Sequence, residues 1–365
     1  MSDLRVATLA LTLAVAAGGA RAEPSITVLP LGFTVAEFRG PASQEAKIVP
    51  TTDAMRQHKL GSGPFVVVWG DGGAAALYLA GGEIRTQPFP PPASEGPSLG
   101  EAPREALPGS RVQTAGPLSV HLAGLTKTYV HGALGRDGEA RELVVSERQP
   151  VTISGAVQKV PVQRTRIEAG PEAVFEDREP RLADLDGDGN TEILVVKSYQ
   201  TKGSALVVIA KRDGAWRVVA ETPAAGQAQR WLNPAAVAAF QGDGKPAIAL
   251  VKTPHLDGVL QVWSYEAGKL VLRHEAPGYS NHVFGSPAQD LAAAIDLDGD
   301  GVTELAIPTL DRGSLAFLSL KGGIKELRRV ALPAKAATGV AALSSGKTSH
   351  ILVGLEDGRI VDVRP

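Results

Sequence analysis

Four carboxylates fall within nine residues at 184–192, DLDGDGNTE, and four more at 296–304, DLDGDGVTE. They occupy positions 1, 3, 5 and 9: Asp184, Asp186, Asp188 and Glu192 in the first stretch, Asp296, Asp298, Asp300 and Glu304 in the second. Crowded like this they repel one another unless a counter-charge sits among them. A tight turn with acids on alternate positions, a backbone carbonyl at position 7 (Asn190 or Val302) and a closing acid suits calcium, which takes six to eight hard oxygens in a tolerant geometry. Glycines 187, 189, 299 and 301 let the backbone fold tightly around an ion. An EF-hand begins the same way but needs glutamate at position 12, where this chain has Val195 and Ile307. The other reading of these residues is a solvated acidic hairpin without an ion.

The elements that would position the loops repeat with them. A third stretch, AVAAFQGDGKPAIALV at 236–251, aligns between the two, and Asp188, Asp243 and Asp300 correspond at spacings of 55 and 57 residues. There Ala239, Gln241 and Ala247 replace three of the four acids, which predicts a metal-free loop with Gln241 bonded to its own turn. Each loop is followed by three β-type apolar runs and preceded by one, so each unit reads as four strands. Weaker units keep a turn and a following strand at 129–148, with Asp137, and at 64–89, with Asp71; another closes the chain at 339–363. About six four-stranded units predict an all-β protein, a β-propeller of six or seven blades. The early strand SITVLPLGF is expected to complete the last blade, closing the ring and leaving no exposed edge. The Pro-rich stretch 87–110 reads as an insertion within the domain 23–365.

In this context the loops resemble those of FG-GAP or VCBS repeats, found in the propeller of integrin α subunits and in many exported bacterial proteins. Two repeats match strongly, one is degenerate and three are weak. The resemblance implies that each loop joins the first and second strands of a blade, and that two structural Ca2+ sites lie at Asp184, Asp186, Asp188, Asn190 and Glu192 and at Asp296, Asp298, Asp300, Val302 and Glu304.

Composition bounds the remaining possibilities. Lys+Arg number 37 against 39 Asp+Glu, so nothing points to nucleic acid. The chain has no cysteine, which excludes disulfides and a lipidated cysteine. Residues 1–22 read as an export signal ending in Ala20-Arg21-Ala22, and no later segment reads as a membrane span. A periplasmic or extracellular monomer is therefore expected.

The loops at the other ends of the strands carry Trp231, Asn233, His255, Asn281, His282 and Arg312, more aromatic, imidazole and guanidinium groups than a chain with 7 His and 5% aromatics would place there by chance. That face is the expected ligand surface, for a protein or a glycan. Trp231 can equally be a packing residue, and either histidine can simply bond to a loop backbone. Two other readings use the same fold: a polysaccharide lyase or hydrolase, and a structural envelope scaffold. Binding is preferred because no motif ties the acid and base candidates, His255, His282, Asp257 and Asp311, into one constellation.

Overall fold

The computed structural model describes residues 24–57, 64–88, 103–151, 160–346 and 348–365. The expected export signal lies outside them, as does 89–102 of the expected insertion. Both flanks of that stretch are ordered, with Gln87 and Pro88 in a strand and Leu107 buried at 2% exposure. Among the described residues no helix is long and apolar enough to cross a membrane.

Strand β1 (Ser25–Val28) precedes a run of four: β2 (Glu37–Arg39), β3 (Val66–Gly70), β4 (Gly73–Ala80) and β5 (Glu83–Pro88). Two short helices, α1 (Gln44–Lys47) and α2 (Asp53–Gln57), interrupt it. The second run is β6 (Gln113–Ala115), β7 (Leu118–Thr126), β8 (Glu139–Arg148) and β9 (Val162–Glu168), linked through β10 (Ala173–Phe175) to the third. The third is β11 (Arg181–Ala183), β12 (Glu192–Tyr199), β13 (Gly203–Arg212) and β14 (Ala215–Glu221). Next come β15 (Leu232–Ala238), β16 (Ala247–Lys252), β17 (Val259–Glu266) and β18 (Lys269–Ala276), then β19 (Ala293–Ile295), β20 (Glu304–Pro308), β21 (Ser314–Ser319) and β22 (Lys325–Ala331). The last, β23 (Ala336–Ser345), β24 (Thr348–Leu355) and β25 (Ile360–Arg364), takes β1 as its fourth strand, with Ser25 opposite Arg364 and Val28 opposite Val361. All strand pairs in these runs are antiparallel, and the described residues are all-β apart from the two helices.

The sequence explains why the middle strands are apolar along their whole length. In β12, Ile193 and Val195 pack with Leu143 and Val145 of the second run, while Leu194 and Val196 pack with Ile248 and Leu250 of the fourth. Successive side chains point to opposite faces, and here both faces meet a neighbouring sheet. The same sharing joins the fourth run to the fifth and the fifth to the last. The last then packs on the first, with Leu343 and Leu352 against Phe38 and Val66. The remaining face of the first run is covered by Ala46, Val49 and Met55 around the two helices. Fourth strands such as β14 lie at the rim and are mostly exposed. A pairing irregularity recurs at one equivalent place in three third strands: Val208/Ile209, Val262/Trp263 and Phe317/Leu318. Such bulges add local twist.

Two sequence expectations change. The Asp137 and Asp71 turns join the second and third strands of their runs, β7 to β8 and β3 to β4, whereas the acidic loops join first to second. The short strands β6 and β2 carry too little apolar pattern to mark where their runs begin. Gln241 donates to Leu320 O of the next run at 2.8 Å, so the degenerate loop is tied to its neighbour rather than to itself.

Candidate functional sites: two acidic loops and an imidazole cluster

The two acidic loops occupy the same place in their runs, between β11 and β12 and between β19 and β20, and they are wired alike. Asp184 accepts hydrogen bonds from Gly187 N (2.8 Å) and Gly189 N (3.0 Å); Asp296 accepts from Gly299 N (2.7 Å) and Gly301 N (3.0 Å). Asp188 accepts from Asn190 N and Asp300 from Val302 N, both at 2.7 Å. Glu192 and Glu304 each reach back to the N–H of position 2, Leu185 and Leu297, at 2.9 Å. Gly187 and Gly189 have φ of 76° and 83°, Gly299 and Gly301 77° and 83°, and Gly242 and Gly244 of the degenerate loop 74° and 73°. Left-handed backbone favours glycine. Since the degenerate loop adopts this backbone with one acid, the glycines shape the turn and the other acids are free to serve another purpose.

The electrostatics follow from the crowding. Burial raises the Glu192 carboxyl above its usual range, and Asp186 and Asp188 raise it further. Glu304 is raised by burial and by Asp298, Asp300 and Asp296. Oxygens of Asp184, Asp186 and Glu192 lie within 4.8 Å of one another, as do those of Asp296, Asp298 and Asp300. Ligands at about 2.4 Å from a calcium ion can stand up to roughly 4.8 Å apart, so both groups suit that ion. Glu192 Oε1 is buried and accepts no hydrogen bond among the described residues. An all-oxygen donor set with a spare buried carboxylate oxygen fits a hard divalent cation.

Connections alternate between the two ends of an antiparallel sheet, so second-to-third and run-to-run loops lie at the end opposite the acidic loops. There the structure assembles an imidazole cluster. His282 Nε2 lies 3.0 Å from Ser286 O, and its Nδ1 lies 2.8 Å from His255 Nε2. A carbonyl only accepts, so His282 carries its proton on Nε2 and accepts from His255 through Nδ1. His255 Nδ1 is then the unprotonated nitrogen. Trp231 stacks on His255, with ring centres 6.0 Å apart and planes at 6°, and donates from Nε1 to Glu176 O at 3.1 Å. Burial lowers the pKa of His282 to about 3 and that of His255 to about 4, aided by the neighbouring imidazoles and Arg312.

His131, from the loop between β7 and β8, joins this cluster and escaped the sequence reading. Its Nδ1 lies 2.8 Å from Oε1 of the fully buried Glu176, which also accepts from Ser198 Oγ. Ser204 donates in turn to Ser198 at 2.7 Å. The Phe284 ring, 55% exposed, packs edge-on against both His131 (5.7 Å) and His255 (5.3 Å). The cluster can accept hydrogen bonds and offer an apolar ring.

The other expected ligand residues are divided. Asn233 and Asn281 are fully buried. Asn233 donates to Asn281 O (3.2 Å) and Gln289 O (3.0 Å), while Asn281 donates to Asn233 O (3.0 Å) and Pro234 O (3.2 Å). These amides join the fourth run to the segment entering the fifth. Trp231 is 1% exposed and packs in the core. Arg312 is half-buried, has φ 61° and donates to Ala336 O at 3.1 Å. The face therefore offers a ligand mainly His131, His255 and Phe284.

No protein-family model and no curated protein matches the chain. Among solved structures it is similar to BBS1N, crystallised in complex with ARL6DN, at 12% identity and TM-score 0.41, over 82% of this chain and 75% of that one. It is also similar to the Trypanosoma rangeli sialidase in complex with a difluoro-KDN ligand, at 14% identity and TM-score 0.39, over 82% of this chain and 51% of that one.

Proposed function

We propose that the chain is an exported, calcium-stabilised β-propeller of six blades that acts as a binding module. The observation that carries this reading is the identical wiring of the two acidic loops at equivalent places in their runs. Three features support the ring: β1 pairs with β25, the last run shares a core with the first, and first strands β15, β19, β23 and β2 contact one another in that order. The resemblance to FG-GAP or VCBS repeats is supported by the two acidic loops, each of which lies between the first and second strands of its run.

Calcium would be held by Asp184, Asp186, Asp188, Glu192 and the Asn190 carbonyl, and by Asp296, Asp298, Asp300, Glu304 and the Val302 carbonyl. When bound, it neutralises the crowded acids and ties two strands of one blade together. A site with Kd near ~10 µM in ~1 mM calcium would add roughly 2.7 kcal/mol of stability. The protein or glycan ligand would dock on the opposite face, against Phe284 and the imidazoles of His131 and His255.

The His131–Glu176 pair favours a second reading, an enzyme on the same scaffold, because a buried carboxylate bonded to one imidazole nitrogen orients the other for proton transfer. Incubation with labelled polysaccharides and envelope extracts separates the two. The binding reading predicts saturable retention of unprocessed material that is lost in Phe284→Ala. Product formation that disappears in His131→Ala would replace it with the catalytic one.

A further inference from the structure

Although alike in backbone, the two acidic loops differ in what stands beside them. Arg212 ends β13, and its Nη2 lies 3.3 Å from Asp186 Oδ2 and 3.7 Å from Glu192 Oε1, two of the four side chains that would hold an ion in the first loop. Glu192 Oε1 is the buried oxygen that accepts no hydrogen bond, so the guanidinium is the charge that answers it. Arg212 is braced in place: its Nη1 donates to Lys211 O at 3.3 Å, and the Tyr265 side chain of the next run interacts with it.

The corresponding positions of the next two runs take other directions. Glu266 pairs with Arg273 on its own hairpin. Lys321 lies in the turn after the third strand of the run that carries the second acidic loop, yet its stem passes over the degenerate loop, with Cε 3.0 Å from where a Cβ on Gly242 would sit. Meanwhile Asp296 and Asp298 line a cavity of about 450 Å3 together with Ser344 and Ser349. The first loop thus has a built-in cation at its acids, while two acids of the second line that cavity.

We infer that Arg212 is the resident cation of the first acidic loop, so that the two calcium sites are unequal: 296–304 binds calcium tightly, and 184–192 binds it weakly because the ion must displace the guanidinium. The inference rests on the calcium reading above. Its physical basis is that a divalent ion entering beside an undisplaced guanidinium meets a like charge a few ångströms away, whereas one that displaces it breaks both carboxylate contacts. At low calcium the arginine offsets part of the first loop's charge, and calcium dependence falls mainly on the second.

Calorimetric titration of the full chain with calcium chloride tests this. The expected result is two steps at least about tenfold apart in affinity, with Asp298→Ala removing the tight step and Asp186→Ala the weak one. Arg212→Gln on the Asp298→Ala background should tighten the remaining step by about tenfold, and Arg212→Lys should leave it weak. Equal affinities in the two single-loop variants, or no tightening in Arg212→Gln, would overturn the inference while leaving the calcium reading in place. No calcium uptake by any of these chains would overturn both. Far-ultraviolet circular dichroism of each variant identifies any that fails to fold, and the comparison of Asp186→Ala with Asp298→Ala does not depend on changing Arg212.

Discussion

His255 Nε2 donates a hydrogen bond of 2.8 Å to His282 Nδ1, and the chain of bonds ends on Ser286 O, so His282 is held neutral, while burial favours the neutral form of His255. Their folded pKa values, about 4 and about 3, lie below the ordinary value of 6.5. Between these limits the unfolded chain binds more protons than the folded one, so stability rises with pH in that window. The contribution is complete above pH 6.5 and is lost as pH falls towards 4. Going from pH 7 to pH 5 should cost about 2 kcal/mol for each histidine kept neutral. Urea unfolding at the two pH values checks this against a His255→Gln, His282→Gln variant. A wild-type loss no larger than the variant's would contradict the assignment.

Removing the buried amide of Asn233, at the start of β15, should be costly. Asn233→Ala would leave Asn281 O, Gln289 O and the Gln289 amide without their partner. Unpaired buried groups cost about 1–3 kcal/mol each before relaxation or water entry, which puts the expected loss at roughly 3 kcal/mol. Chemical denaturation measures it, and a loss under about 1 kcal/mol would mean that the amides are not the brace they resemble.

The contact between the last run and the first can be probed at Gly339. A Cβ there would stand 2.2 Å from Phe38 Cδ1, and Phe38 is 1% exposed. Gly339→Ala should therefore destabilise by about 1–3 kcal/mol through overpacking. Gly40→Ala, whose new methyl would meet Ala341 Cβ at 3.8 Å, is the matched control and should change stability by less than about 0.5 kcal/mol. Equal effects from the two would contradict close packing at this seam.

The acidic loops and the runs around them were legible because chemistry and periodicity agreed there: spaced acids, paired glycines, then strands buried on both faces. The N-terminal half was read one strand out of step. GRDGE at 135–139 looks like an acidic loop by letter, but in the structure it ends a second-to-third connection, and that displacement hid His131. Its signal was available only through position, as one more imidazole at the end of the strands that carries His255. Asn233 and Asn281 misled for the opposite reason. Polar residues in loops suggest a ligand, yet an amide can also satisfy the backbone of a neighbouring run. The helices α1 and α2 are 4 and 5 residues long, too short for a 3.6-residue period to register.

The central claim is that the acidic loops are calcium staples, and thermal unfolding of the chain in millimolar calcium and in chelator tests it most directly. The account predicts a midpoint several degrees higher in calcium and a reduced rise in Asp298→Ala. It also predicts no rise when Asp186→Ala is added. Identical midpoints in calcium and chelator for the unmodified chain would contradict it, and would leave both loops as solvated acidic turns.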